Sequence, residues 1–137
     1  MKLNLDHIVL NVENAIIAAD FYHNILELEI ERLDKFKNGA ASFHSVRINR
    51  ETVIDLFPPE MWRTDSDEDK SSKINLNHFC LNFDHNDWNR LIESLKLHNI
   101  KIKKYTDNNW GAQGIGISVY FDDLDGNEIE ARFYRSW

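Results

Sequence analysis

The chain has 137 residues, 42% hydrophobic and 28% charged, with a formal charge of −7, which suits one compact domain able to bury roughly two thirds of its unfolded surface. The acidic balance, with no basic cluster, excludes the usual nucleic-acid footprint and points to a small-molecule partner. The single cysteine, Cys80, leaves no internal disulfide and fits a reducing, cytoplasmic setting, while MKLNLDHIVL is no signal peptide and no apolar run approaches the ~20 residues that span a bilayer.

Leu3 to Val12 alternates, with Ile8, Leu10 and Val12 on one face and Leu5, His7, Val9 and Asn11 on the other, the period of a half-buried strand. Asn14 is placed to cap a helix over 15–24, whose apolar stripe takes Ile17 and Phe21. Strand-like runs follow at about 28–34, 41–48 and 52–57. Residues 58–73 hold both prolines and then an acidic, serine-rich run, which reads as an exposed linker. Its DSDEDK segment lacks the glycine and the closing glutamate of a calcium loop. Ile74 to Phe83 predicts a second strand of the first kind, and Asp87 a cap for a helix striped by Trp88, Leu91, Ile92 and Leu95. Strands are expected at about 100–105, 116–122 and 127–134. The glycine-rich stretch Trp110–Gly116 before the second of these is read as a turn or a mobile lid. His23, His44, His85 and His98 have no repeat partners and are read as surface or helix-end residues.

The two halves repeat each other. Aligning Leu3–Val12 with Ile74–Phe83 gives five identities in ten positions, among them His7 with His78. Shared strand composition explains a common leucine but not a common histidine and two asparagines. The order βαβββ therefore occurs twice, as module one over 1–57 and module two over 74–137. In the closing strands, VIDLF and EIEARF, aligning Ile54 with Ile129 places Asp55 against Glu130. By alternation, His7, His78, Asp55 and Glu130 all point away from the helices, toward a shared cavity. Two buried carboxylates repel unless a cation offsets them, and a divalent metal held by imidazole nitrogen and carboxylate oxygen does so. The plainer alternative for each histidine is a satisfied core or surface residue. Glu128 and Arg132 share the parity of Glu130 and are candidate substrate contacts, with solvated strand ends as the alternative. Tyr120, opposite in parity to Ile117, Val119 and Phe121, is a candidate hydrogen-bond donor to substrate. Cys80, on the His78 face without a basic sequence neighbour, reads as a small buried hydrophobe rather than a reactive thiol.

The opening LDHIVLNVENAIIAADFYHNIL and the closing GAQGIGISVYFDDLDGNEIE resemble the vicinal oxygen chelate superfamily, which includes glyoxalase I, fosfomycin resistance proteins, bleomycin-binding proteins and extradiol dioxygenases. The resemblance implies an α+β fold, paired βαβββ modules forming a cupped mixed sheet around a metal. It carries His7, His78 and Glu130 over as metal ligands. Asp55 occupies a position where glyoxalase-like members often place a glutamate, one methylene longer. Leu124 stands where the family motif has proline. What the resemblance implies is a divalent-metal enzyme (Zn, Ni, Mn, Co or Fe(II)) acting on a small molecule that chelates the metal. Glyoxalase-like lyase or isomerase chemistry, with Glu130 or Asp55 moving a proton, leads an extradiol-type dioxygenase and a metal-free, drug-binding protein of the bleomycin-binding type. A cytoplasmic homodimer, with neither nucleic acid nor membrane as partner, completes the expectation.

Overall fold

The computed structural model describes residues 1–63 and 76–135. The chain forms two compact units, Met1–Lys73 and Ile74–Trp137. Each builds a four-stranded mixed sheet of the α+β kind, and the strand order is the same in both.

In the first unit, β1 (His7–Asn11) leads to α1 (Ala15–Leu26), then β2 (Glu29–Glu31), a short α2 (Leu33–Lys37), β3 (His44–Arg47), β4 (Val53–Phe57) and a turn of helix, α3 (Pro59–Trp62). The sheet order is β1-β4-β3-β2, with β1 parallel to β4 and the other pairs antiparallel. Asn14 caps α1 as expected, its side chain accepting from the Ile17 N–H. The buried face of α1 differs from the expected one. Ala15, Ala18, Ala19, Phe21, Tyr22 and Ile25 are buried, whereas Ile17 is 52% exposed. The small alanines let the helix lie close to Val46, Ile54 and Leu56 of the sheet, so the packed stripe runs through them rather than through Ile17. The helix α2 was not expected, and α3 replaces the first residues of the expected linker. Its Trp62 indole N–H donates to the Val12 carbonyl at 3.1 Å. The remainder of that linker, DSDEDK included, lies outside the described residues.

In the second unit, β5 (Phe79–Asn82), α4 (His85–Leu97), β6 (Lys104–Gly111), β7 (Gly114–Asp122) and β8 (Glu128–Phe133) give the order β5-β8-β7-β6, with β5 parallel to β8. The cap of α4 is Asp84, not Asp87: its carboxylate accepts from the Asp87 N–H, so Asp87 is the residue capped. Trp88, Leu91 and Leu95 are buried along α4, as the stripe predicts, with Ile117, Val119, Phe121, Ile129, Ala131 and Phe133 in the same core. The glycine-rich stretch is a hairpin, Trp110 opposite Ile115 and Gly111 opposite Gly114. Gly114, at φ +102°, takes a backbone conformation that favours glycine. Among the described residues no helix is long and apolar enough to cross a membrane.

His44 corrects a further expectation. It is fully buried rather than a surface residue, stacked on Phe36, with Nε2 donating to the Ala15 carbonyl at 2.7 Å and Nδ1 without a partner. Burial holds it below the usual histidine value of 6.5, with the Ala15 bond and Asp20 opposing and Arg32 and Lys37 assisting. As pH falls the unfolded chain takes up the proton first. The stability contributed by neutral His44 is thus complete above 6.5 and is lost as pH drops through that value toward the folded pKa. Urea unfolding at about pH 7.5 and about pH 5.5, one unit either side of the free value, should show a larger loss in the wild type than in His44→Gln; equal losses would count against it. Ile54→Ala should cost about 2–5 kcal/mol, and Ile17→Ala should stay within ~0.5 kcal/mol in the same assay.

Candidate functional site

Strand register decides which side chains meet. In the second unit Cys80 lies opposite Glu130, so His78, two residues earlier on the same face, reaches Glu130 diagonally. His78 Nε2 is 3.1 Å from Glu130 Oε2. The other carboxylate oxygen, Oε1, is fully engaged: the Ser118 hydroxyl donates at 2.6 Å, and Arg132 donates from Nη2 at 2.9 Å and from Nε at 3.2 Å. Burial pushes the Glu130 carboxyl up, but the hydrogen bonds from Ser118 and Arg132, together with the guanidinium charge, outweigh it and leave the group below the ordinary carboxylate value. Oε1 is thereby fixed and Oε2 is left facing the imidazole.

Arg132 is 3% exposed. It also donates to the Tyr134 hydroxyl at 3.0 Å and to the Asn109 and Trp110 carbonyls at 3.4 and 3.3 Å. The sequence marks it as a substrate contact; the structure has it spend its donors on the protein, holding Glu130. Gly111 makes room for it, since a Cβ there would fall 1.5 Å from Arg132 Nη1. Glu128 pairs with Lys103 at 2.5 Å, and Lys103 also bonds Asp122 at 2.9 Å. Tyr120 sets its ring edge against His78, with centroids 5.6 Å apart, and its hydroxyl accepts from Asn109 Nδ2 at 2.6 Å. Burial, then the Glu130 charge, raises its phenol pKa. Cys80 is exposed rather than the buried hydrophobe expected, although desolvation around its thiol, then Glu130, pushes it up to about 12.

The first unit repeats part of this arrangement. Val9 lies opposite Asp55, so His7 is again diagonal to the carboxylate. Ser45 Oγ donates to Asp55 Oδ1 at 2.6 Å. No cation takes the Arg132 place there, because Phe57 holds that position two residues after Asp55.

Both histidines are held by the residue before them. His7 Nδ1–H donates to Asp6 Oδ2 at 2.7 Å, and His78 Nδ1–H to Asn77 Oδ1 at 2.6 Å. That bond to Asp6, opposed by desolvation and helped by the Asp55 charge, raises His7 above the usual value. With Nδ1 protonated, the neutral imidazole presents a bare Nε2. In His78 that lone pair faces Glu130 Oε2, and two acceptors at 3.1 Å repel unless a proton or a cation lies between them. The donor set, one imidazole nitrogen and one carboxylate oxygen with oriented supports, fits a divalent cation. Among the described residues, no group of three His, Cys, Asp or Glu side chains is spaced to hold one. Ser45, Ser118 and Asn109 were missed by sequence reasoning. Ser118 was readable, since it shares the parity of Tyr120 two residues on.

Comparison with known proteins agrees with this architecture. The family model described as Glyoxalase/Bleomycin resistance protein/Dioxygenase superfamily matches residues 4–131. An integron cassette protein from the mobile metagenome of V. cholerae is 23% identical, with TM-score 0.74 and 98% of each chain covered. A lactoylglutathione lyase from Agrobacterium tumefaciens is 21% identical at TM-score 0.65, covering 95% of this chain and 92% of its own. A fosfomycin resistance protein from Mesorhizobium loti is 14% identical at TM-score 0.66, covering 98% and 95%. No curated protein sequence matches the chain.

Gly111→Ala should force Arg132 off Glu130 and lower stability by about 1–3 kcal/mol in a urea titration. Wild-type stability in that variant would show that the guanidinium does not need this space.

Proposed function

The chain belongs to the glyoxalase/bleomycin resistance protein/dioxygenase superfamily, and we propose that it is a divalent-metal enzyme acting on a small oxygenated molecule, by lyase or isomerase chemistry of the glyoxalase kind. The observation that carries this reading is the His78 Nε2–Glu130 Oε2 approach at 3.1 Å, with each group held from behind. His78 and Glu130 would contribute ligands to the ion in the second unit, and His7 and Asp55 offer the corresponding pair in the first. The ion, one of Zn, Ni, Mn, Co or Fe(II), would supply Lewis acidity toward adjacent substrate oxygens.

The protein's own residues divide the remaining work. Arg132 and Ser118 keep Glu130 ionised and aimed, which suits it to a ligand role. Asp55, bonded by Ser45 and without an ion-pair partner among the described residues, is the carboxylate better placed to take and return a proton. Tyr120, oriented by Asn109, would donate a hydrogen bond to substrate oxygen. The same reading takes the protein as a cytoplasmic homodimer with a small molecule, and neither nucleic acid nor membrane, as its partner.

A second reading, metal-free sequestration of a small molecule, has one observation in its favour: Arg132 already neutralises Glu130 without any metal. Elemental analysis of protein purified without added metal separates the two. The enzyme reading expects about one divalent ion per chain, with affinity falling more than ~10-fold in His78→Ala. Undiminished metal in His78→Ala, or ligand binding that ignores metal removal, would decide for sequestration.

A further inference from the structure

The two sheets carry matching rows of residues that differ where it matters for charge. In the second unit Cys80, Glu130, Tyr120 and Lys104 lie opposite one another in turn across all four strands. The corresponding row of the first unit is Val9, Asp55, Ser45 and Glu31. The two rows keep the carboxylate and diverge on its far side, serine giving way to tyrosine and glutamate to lysine. Glu31 is consumed by an ion pair with Arg47. Lys104 has no carboxylate partner among the described residues; its ammonium stands over the Tyr120 ring, 5.4 Å from the centroid.

That ammonium borders a cavity of about 310 Å³ lined by Asn77, His78, Lys103, Lys104, Tyr120 and Glu128. Lys103 is spent on Glu128 and Asp122 together. Lys104 is therefore the cation of this wall left without a carboxylate among the described residues, on the face that carries His78, in a chain whose formal charge is −7. Resting on the reading above, we infer that Lys104 anchors an oxyanion on the substrate, so that the molecule handled is an acid whose carboxylate or phosphoryl group lies on Tyr120 while its other end meets His78 and Glu130. Two strand spacings, about 10 Å along the sheet, separate the Glu130 and Lys104 backbones. The lysine stem folds back over the tyrosine, so a tail of two or three carbons spans the gap. An ammonium serves as a point charge for either oxyanion, and the ring beneath holds it in place.

Two hydroxamates test the assignment on the full chain loaded with Ni or Zn. Acetohydroxamate and the monohydroxamate of succinic acid chelate through the same adjacent oxygens and differ in one carboxylate tail. Calorimetry should show the tailed probe binding about fivefold more tightly, about 1 kcal/mol. The preference should vanish in Lys104→Met and persist in Lys104→Arg. Equal binding of both probes by the wild type, or a preference that survives Lys104→Met, overturns the role of Lys104 and leaves the metal reading standing. If neither probe binds, the metal reading fails instead, and inorganic phosphate titrated into metal-free protein decides on Lys104 alone. Saturable phosphate shifts at the Tyr120 and Lys104 resonances, absent in Lys104→Met, support the anion site; no shifts, or shifts unchanged in the variant, overturn it.

Discussion

The parallel pairing of the first strand of each unit with its last is the constraint on which the site depends. Side chains on a strand alternate, so one residue of slip would turn every histidine and carboxylate toward the helices. Register is held by apolar partners on the opposite face: buried Leu10 with Leu56 in the first unit, half-buried Phe79 with buried Ile129 in the second. The ladder continues past both strand ends in the same manner, Val12 N–H to the Phe57 carbonyl at 3.0 Å and Phe83 N–H to the Arg132 carbonyl at 2.8 Å. Apolar packing on one face thus sets the polar geometry on the other. A substitution under α1 or α4 can disturb a site it never touches.

The Glu130–Arg132 pair shows how that geometry is stiffened. Both side chains are nearly excluded from solvent, and a buried pair of this kind contributes little net stability because desolvation offsets the attraction. Its consequence is directional. Three donors on Oε1 leave one carboxylate oxygen to face His78, so the carboxylate is held in one orientation. Gly111 belongs to this arrangement although it lies far along the chain from either residue, because the hairpin backbone passes where the guanidinium must lie.

Much of this was legible in the sequence, and the failures have physical causes. Alternation identified the faces of β1, β5, β4 and β8, and duplication identified which histidines and acids to compare. The apolar stripe of α4 was read correctly. That of α1 was not, because alanine packs as closely as isoleucine when the sheet lies near, and a hydrophobic scale gives it less weight. The cap of α4 was misplaced by three residues because Asp84 and Asp87 both precede the stripe, and only the bond between them shows which one caps. The hairpin around Gly114 resembled a loop because glycine signals a turn without saying how long the flanking strands are. His44 escaped because a lone histidine carries no periodic signal, whereas its burial depends on Phe36 and Ala15, both distant in sequence.

The repeat is most informative where it fails. Duplication makes two half-sites alike at first: a histidine held by the residue before it, and a carboxylate held by a serine. Positions that only support a strand can drift in either copy without consequence. Here three departures bear on the second sheet: tyrosine for serine and lysine for glutamate in the row of Glu130, and, two residues beyond Glu130 on its own strand, arginine where the first unit has phenylalanine. Tyr120 and Arg132 each place a polar group beside His78 or Glu130, and lysine reverses the charge that glutamate carries in the first unit. The first unit keeps the simpler arrangement of imidazole, carboxylate and hydroxyl, and the second adds a guanidinium, a phenol and an ammonium around it.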